Sequence, residues 1–275
     1  MNPRHLAGRL ARAIFIAAVI VFYATPLLWV VLTPFSPRAS LSLQIPAPPT
    51  LANFRLVFAN PAAAGALFWN SPVIALGVTL VTLVAAALAA YALTRGAIKG
   101  RDLILYSLIL VAAVVSGPVA MIPLYLIAAR LNLLGGHVGV ILILAALFIP
   151  AATFLVRDFL RGVPRSCEEA AILAGASPMR ALRDVVVPLI RPGLAIVAVW
   201  VFVSAWGEFF VPFVLLRAPE LYPASLIIYG YRDEGGIYRL PLTSAFALLY
   251  ALPVLILYLF VSRRFGFRFF GGYRG

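Results

Sequence analysis

Residues 166–188, "SCEEAAILAGASPMRALRDVVVP", decide the fold of this chain because they interrupt its apolar character. Five charged side chains fall inside this stretch, a high density for a chain in which only 11% of the residues are charged. A glycine, Gly175, stands near its centre and a proline, Pro188, at its end. We interpret residues 158–190 as a polar insert between apolar segments.

The rest of the chain has the composition of a membrane protein. Hydrophobic residues make up 64% of its 275 residues, and its mean hydropathy is +1.04, whereas apolar residues are about half of a soluble domain. Crossing a bilayer core takes about 20 consecutive apolar residues. We therefore predict an all-α integral membrane protein, one membrane domain over residues 1–275, with six transmembrane helices near 13–34, 71–94, 103–127, 136–157, 192–215 and 241–262.

An external segment and two prolines qualify this assignment of spans. Residues 36–70 are expected to lie outside the membrane, with a short interfacial helix near 51–59, and the uncharged residues from Pro61 to Phe68 are assigned to this external segment. Pro118 and Pro123 fall inside the third predicted helix, where proline removes backbone hydrogen bonds. A packing kink and a broken helix near a pathway both remain open there.

The distribution of positive charge predicts the orientation. With a cytoplasmic N-terminus, 16 of the 22 Lys and Arg residues face the cytoplasm, as the positive-inside rule requires. Both termini are then cytoplasmic in a multi-pass protein of the inner or plasma membrane. The net charge of +13 follows from this asymmetry, and no soluble domain presents a basic patch to nucleic acid. The first apolar segment is longer than that of a signal peptide, so we expect a retained helix.

Residues with catalytic or metal-binding chemistry are sparse. The single Cys167 excludes an internal disulfide and a cysteine-based metal cluster. His5 and His137 have no partner at metal-ligand spacing. Paired carboxylates and His–Cys pairs are missing as well. The sequence therefore predicts no metal site, no cofactor and no membrane-embedded enzyme.

The insert has the local chemistry of two short helices. Ser166 and Glu169 are spaced as a capping box, and Gly175 suits a helix end. Ser177 would cap a second helix with Pro178 at its first position, where the missing N–H costs nothing; Pro188 would stop that helix. Such a helix–turn–helix exposes apolar side chains that need a partner to cover them, which predicts a docking surface: Ile172, Leu173, Met179 and Leu182.

The spacing within the insert matches a known pattern. Glu169, Ala170 and Ala171, then Gly175, then Val185, Val187 and Pro188 fit E-A-A-x-x-x-G-x9-[IV]-x-[LV]-P at every position. This resembles the EAA loop of binding-protein-dependent ABC importer permeases. Further segments are similar to the carbohydrate branch, the maltose-type second permease: "TLANF" (50–54), the run from 69 to 95, "IPLYLIAARLNLLGG" (122–136), "FVSAWGEFFVPFVL" (202–215) and "GGYRG" (271–275). The resemblance covers nearly the whole chain.

The resemblance implies a type I ABC importer permease fold, with the insert as the coupling loop. Its partners would be a second permease, two cytoplasmic ATPase subunits and an external solute-binding protein. The insert would sit in a cleft of the ATPase, with Glu169, Ala170, Ala171, Gly175 and Pro188 as its characteristic residues. Glu169 has two interpretations, helix cap and charged contact with the ATPase, whereas Arg180 and Arg183 are expected to form a solvated face.

The chain departs from the family pattern at two places and has no nucleotide-binding motif. Both observations limit which residue roles the resemblance implies for this chain. The branch usually has Asp where Ala174 stands, and often Asn or Asp where the sequence has Trp206-Gly207-Glu208. Lys99 is the only lysine, and no Walker A loop surrounds it. ATP would therefore be bound and hydrolysed by the separate subunits, and this chain is not an enzyme.

Glu208 is the one charged residue inside a predicted span. A carboxylate there usually faces a water-filled cavity or a partner, so Glu208 could line a translocation path, with Trp206 and Phe209 offering aromatic faces to a sugar. The alternatives are a carboxylate at the external interface, paired with Arg217 or hydrogen-bonded locally, and an interfacial aromatic belt.

Two other functions compete with sugar import. A permease of the same class could carry a polyamine, a peptide or glycerol phosphate, although no Lys or Arg lies within a predicted span, apart from Arg157 at the end of the fourth, to attract an anion. A proton-coupled secondary transporter would use Glu208 as a relay, but it has no need for the docking insert. The sequence does not identify the solute.

Overall fold

The structure is a computed structural model that describes residues 3–38, 41–96, 99–114, 120–231 and 239–265. These residues contain helices and no β-strand. Pro118 and the C-terminal "GGYRG", both used in the sequence analysis, lie outside the described residues.

The chain divides into two compact units, residues 1–64 with 227–252, and residues 65–226 with 253–275. The first unit begins with helix α1 (Pro3–Leu32), a 3₁₀ turn (Thr33–Phe35) and helix α2 (Ala52–Ala59). Asn53 of α2 donates to the backbone carbonyls of Pro34 and Ser36, at 2.8 and 3.1 Å. The predicted short helix near 51–59 is therefore present and tied to the end of α1.

The second unit carries the insert and the helices that hold it. Its elements in chain order are α3 (Pro61–Arg95, which begins in the first unit), α4 (Arg101–Val114), α5 (Met121–Arg130), α6 (His137–Arg161), α7 (Arg165–Leu173), α8 (Pro178–Leu189), α9 (Arg191–Trp206), α10 (Phe210–Leu215) and α11 (Ala224–Ile227). The last helix, α12 (Leu240–Phe265), continues from the first unit into the second. Helix α3 packs along α6, and α9 packs against both, so these three form the core.

Four described helices are long and apolar enough to cross a membrane: Arg12–Phe35, Pro61–Arg95, His137–Arg161 and Leu240–Arg263. Helices α8 and α9 meet at a bend of 82° and count as a fifth span if taken together. The predicted third span lies on α4 and α5, on either side of residues 115–119, which are not described. Pro123 is in the first turn of α5, where a helix has no backbone bond for it to break. The count of six spans stays a prediction.

Two predicted boundaries are wrong. Helix α3 begins at Pro61, ten residues before the predicted start, because the residues from Pro61 to Asn70 continue the helix through a π-helical turn, Ala66–Asn70. The predicted fifth span, 192–215, is not continuous, because α9 ends at Trp206 and α10 begins at Phe210. Pro212 has no N–H to donate to the carbonyl of Glu208, four residues earlier, so a regular helix is disfavoured there.

Candidate functional site

The insert is a helix–turn–helix formed by α7 and α8. The N–H groups of Gly175 and Ala176 donate to the carbonyls of Ile172 and Ala171, at 2.9 and 3.0 Å, the pattern of a Schellman helix end. Gly175 has φ of +90°, a conformation that favours glycine, and an added Cβ would meet no atom within 4 Å. The sequence prediction of a helix ending at Gly175 is confirmed.

The start of α8 follows the prediction and the start of α7 does not. The Ser177 side chain accepts a hydrogen bond from the N–H of Arg180 at 3.3 Å, with Pro178 in the first helical position. Helix α7 begins at Arg165, and its N-cap, Pro164, has no side-chain hydrogen bond. Ser166 therefore lies inside the first turn, and the predicted capping box with Glu169 is wrong.

Helix α8 also runs past its predicted stop. It ends at Leu189, one residue after Pro188, and then bends into α9 at Ile190. A π-helical turn over Leu182–Val186, closed by the N–H of Val187 on the Leu182 carbonyl, precedes the proline. The wider turn accommodates a ring that would meet the carbonyl of Asp184 in a regular α-helix.

The apolar side chains of the insert are exposed, with one exception. Leu173 is 88% exposed, Met179 60% and Ile172 46%, whereas Leu182 is only 4% exposed. Leu182 therefore belongs to the packing of the insert and not to its surface, which corrects that prediction. The exposed residues that frame the apolar ones are charged: Arg165, Glu169, Arg180 and Arg183.

A second glutamate, Glu168, which the sequence pattern did not single out, fixes the insert to the core. The Glu168 carboxylate forms an ion pair with Arg95, the last residue of α3, with Nε and Oε2 2.8 Å apart. Their side chains are 7% and 13% exposed. Arg95 also donates through Nη2 to the Val163 carbonyl at 2.9 Å. Two adjacent glutamates look alike in sequence, and the helix start at Arg165 decides that Glu168, not Glu169, faces α3.

The same face of α3 contributes a tyrosine. Tyr91 lies one helical turn before Arg95, and its hydroxyl donates to the Pro178 carbonyl at 3.4 Å. A shallow cavity of about 150 Å³ opens beside this attachment and is lined by Arg95, Arg165, Glu168, Glu169 and Ile172.

Glu208 lies in the break between α9 and α10, where it is hydrogen-bonded locally. Its Oε1 accepts from the N–H groups of Phe210 and Val211, at 2.9 and 3.4 Å. Its backbone carbonyl, which Pro212 cannot reach with a hydrogen bond, accepts from the Ser225 hydroxyl at 2.7 Å. The suggested partner Arg217 instead donates to the Tyr125 hydroxyl at 2.8 Å. Of the alternatives for Glu208, the local bonds are the ones observed.

The aromatic residues of the predicted path differ in exposure. Trp206 is 3% exposed, and its ring stacks on Phe202 with centroids 5.6 Å apart. Phe209 is partly exposed and stacks on Phe213 with centroids 5.4 Å apart, and Phe213 is 63% exposed. An aromatic surface therefore adjoins Glu208, formed by Phe209 and Phe213 and not by Trp206. A role for these residues in a path stays a prediction.

The segment that follows the break is held by polar side chains. Asn70 of α3 donates to the carbonyls of Glu220 and Tyr222, at 2.8 and 3.0 Å. Ser71 accepts from the N–H of Ala224 at 2.8 Å. His137, at the start of α6, lies 3.0 Å through Nε2 from the Leu221 carbonyl. In the described part of the chain, no three His, Cys, Asp or Glu residues are grouped so as to hold a metal.

Most of the chain matches a known protein family. Residues 84–269, more than half of the chain and including the whole insert, match the model of the "Binding-protein-dependent transport system inner membrane component" family. The chain belongs to this family. It is therefore a multi-pass membrane protein and a permease subunit of an ABC importer, as its resemblance implied.

Curated relatives cover the permease over nearly its full length. It is 33% identical to the sulfoquinovosyl glycerol transport system permease protein SmoH of Agrobacterium fabrum, over 94% of this chain and 91% of that protein. It is 30% identical to the galactooligosaccharides transport system permease protein GanQ of Bacillus subtilis, over 91% of this chain and 89% of the relative. Both relatives are similar to the permease along most of their own length.

Solved structures have the same fold. A chain in the crystal structure of a bacterial ABC transporter involved in the import of the acidic polysaccharide alginate superimposes with a TM-score of 0.75 at 21% identity, covering 96% of the permease and 98% of that chain. The predicted type I ABC permease fold class is thereby confirmed.

Proposed function

We propose that this permease imports a carbohydrate or a closely related polar solute, together with a second permease. The sequence similarity to SmoH and GanQ supports this solute class, since their names refer to sulfoquinovosyl glycerol and galactooligosaccharides. The exposed aromatic rings of Phe209 and Phe213 fit the same class, because aromatic faces suit the apolar faces of sugar rings. A permease for a polyamine, a peptide or glycerol phosphate is the second candidate within the same fold.

The observation that carries the coupling role is the exposed apolar surface of the insert. Ile172, Leu173 and Met179 are exposed on two short helices that also expose the charged side chains of Arg165, Glu169, Arg180 and Arg183. Burying such side chains against a partner is favourable at about 25 cal/mol per Å² of apolar area. We infer that a soluble ATPase subunit covers them, one copy for each of the two permeases, and that ATP is bound and hydrolysed there.

The charges of the insert define the kind of cleft that would receive it. Because Glu168 is neutralised by Arg95, Glu169 is the exposed carboxylate of α7, and it forms no ion pair with another of the described residues. Arg165 and Arg180 are exposed as well, so the rim of the surface has a positive excess. An apolar cleft with an acidic rim and one basic group for Glu169 would complement it.

The orientation that this coupling requires is the one predicted from the charges, with both termini and the insert in the cytoplasm. An external solute-binding protein would then deliver the solute to the opposite face. The broken helix and Glu208 would lie toward that face, where Oε1 is held by two amides. The second oxygen, Oε2, makes no hydrogen bond within the described residues and is free to accept one from a sugar hydroxyl. Proton-coupled transport through Glu208 would leave the insert without a role.

The first test is the composition of the complex that the tagged permease forms in its native host. We expect an ATPase and a second permease to be recovered with it in mild detergent. Gly175→Asp should release the ATPase, because it adds a charge at the turn of the docking surface. Gly175→Asn is the matched control, since it has the same shape without the charge and also tolerates positive φ. Recovery of the chain alone, or as a homo-oligomer, would contradict the proposal.

The solute class is tested on the same complex after reconstitution with its binding protein. ATP hydrolysis should increase with oligosaccharides and not with polyamines, short peptides or glycerol phosphate. Stimulation by one of the latter alone would move the assignment to the second candidate.

A further inference from the structure

The carboxyl-terminal end of α3 holds both helices of the insert. Tyr91 and Arg95 are four residues apart and therefore on the same face of α3. Arg95 binds the Val163 carbonyl and the Glu168 carboxylate, just before and within α7, and Tyr91 binds the Pro178 carbonyl at the start of α8. The insert is thus attached to α3 at three points, in addition to its covalent ends.

The central attachment is a buried ion pair and not a surface contact. The side chains of Arg95 and Glu168 are 13% and 7% exposed, whereas Arg183 and Asp184, the pair on the outside of α8, are 87% and 58% exposed with 3.8 Å between their charged groups. A buried charge that loses its partner is strongly destabilising, whereas an exposed pair contributes little. The inner pair therefore resists separation when the insert is displaced.

The covalent connection from the carboxyl-terminal end of the insert to the core is less direct than the ion pair. It passes from α8 to α9 through the 82° bend at Ile190. A bend absorbs part of a displacement by opening or closing. The ion pair bypasses this bend and reaches α3, which packs along α6 and α9 in the core.

We propose that Arg95 and Glu168 are positioning residues for energy coupling, which make the insert and α3 move as one body when the ATPase closes. This inference rests on the proposed docking of an ATPase on the insert. Glu169 contacts the partner, and Glu168 transmits the resulting movement to the membrane core. The two adjacent glutamates therefore have different tasks.

The experiment reports the movement of α3 directly and requires no knowledge of the solute. Phe68, 61% exposed and close to the amino-terminal end of α3, is replaced by Cys, and the exposed Cys167 by Ser. The single thiol then carries an environment-sensitive fluorophore. The complete transporter is purified with its ATPase in lipid nanodiscs, and fluorescence is recorded before and after addition of ATP with vanadate. Retention of the ATPase is measured in the same samples by gel.

We expect an ATP-dependent signal in the parent protein and a loss of about tenfold in Glu168→Gln and Arg95→Gln, within the range typical of coupling between sites. Both variants should retain the ATPase. The charge reversal Arg95→Glu/Glu168→Arg should restore the signal. Asp184→Asn makes the same chemical change on the exposed pair of the insert and should leave the signal unaltered.

An equally large signal in Glu168→Gln, or no signal in a parent complex that has bound ATPase, overturns the inference. Failure of the charge reversal to recover the signal overturns it as well. If Glu168→Gln does not fold, Tyr91→Phe decides the question, since it removes one hydroxyl and should lower the signal in the same direction. A parent chain that binds no ATPase contradicts instead the proposed function, on which the inference rests.

Discussion

Two separated parts of α3 hold neighbouring segments by different chemistry. In its amino-terminal third, Asn70 and Ser71 bind the backbone between Glu220 and Ala224 with neutral hydrogen bonds. At the carboxyl-terminal end, Arg95 holds the insert through the side chain of Glu168. A cation suits that end, because the partial negative charge of a helix accumulates there.

The difference determines how each attachment responds to mutation. Asn70 and Ser71 recognise carbonyl and N–H groups, which every residue except proline supplies in full, so the held segment can change its side chains. The ion pair of Arg95 requires a carboxylate, so this part of the attachment of the insert depends on the identity of one residue, Glu168. Breaking the ionic attachment should therefore cost more than breaking a neutral one.

The largest effect is expected for Arg95→Met. The substitution leaves the buried Glu168 carboxylate without its partner, at a cost of about 3–5 kcal/mol in the free energy of unfolding. Thermal unfolding in detergent, followed by circular dichroism, measures the shift in midpoint. Arg183→Met is the control on the exposed pair and should leave the midpoint unchanged. Equal shifts in the two variants would show that burial does not distinguish the pairs.

The neutral attachment should give a smaller loss. Asn70→Asp replaces two donated hydrogen bonds by a carboxylate facing the carbonyls of Glu220 and Tyr222, which costs about 1–3 kcal/mol for the unsatisfied buried groups. Asn60→Asp is the matched control, because Oδ1 of Asn60 accepts from the N–H of Ala63 and Asp preserves that acceptor. A shift in Asn60→Asp as large as that in Asn70→Asp would contradict the assigned hydrogen bonds.

Ser225→Ala sharpens the account of the helix break at Glu208. It removes the hydroxyl that binds the Glu208 carbonyl, for a loss of about 1 kcal/mol. Pro212→Ala supplies an N–H that could reach the same carbonyl from within a helix. The double variant should therefore be less destabilised than the sum of the single variants. Strict additivity in the unfolding midpoints would show that the two residues do not share this carbonyl.

The smallest effect concerns an exposed carboxylate near the insert. A hydrogen bond from Arg157, whose side chain is buried, holds the pKa of the Asp102 carboxyl below its usual value, and the nearby Arg101 and Arg161 act in the same direction. Asp102 therefore contributes stability that is complete above its unfolded pKa, about 3.9, and is lost as the pH falls through its lower folded pKa.

The measurement is the midpoint of thermal unfolding between pH 7 and pH 3, compared with Asp102→Asn. The difference between the two proteins should be constant from pH 7 to pH 5 and shrink below pH 4. A difference that persists at pH 3 would mean that the ionised carboxylate is not what Arg157 stabilises.

Apolar runs and charges predicted the long helices well, since membrane insertion depends on those properties alone. They did not predict where a helix begins or is interrupted. The break at Glu208 lies in a run that is otherwise apolar, and its signal in the sequence is Gly207-Glu208 followed by Pro212. The start of α3 was predicted ten residues too late, because an uncharged external segment and an uncharged helix have similar compositions.

Within the insert, the sequence likewise predicted some features correctly and others wrongly. The helix end at Gly175 and the cap at Ser177 follow from local backbone chemistry, and both were predicted. The choice of Glu168 over Glu169 as the buried residue depends on where α7 begins, which the spacing of Ser166 and Glu169 placed wrongly. The burial of Leu182 likewise depends on packing against other parts of the chain, which local propensities do not specify.

The two attachments on α3 are 25 residues apart, from Asn70 to Arg95, or about 37 Å along the axis at 1.5 Å per residue. When a rigid helix that is attached at two separated points tilts, it displaces both attached segments. A tilt of about 10° around its midpoint would carry the two ends roughly 3 Å in opposite directions over that length. The segment after the helix break and the insert would then be displaced in antiphase. The helix would transmit this motion without exchanging any of its own hydrogen bonds.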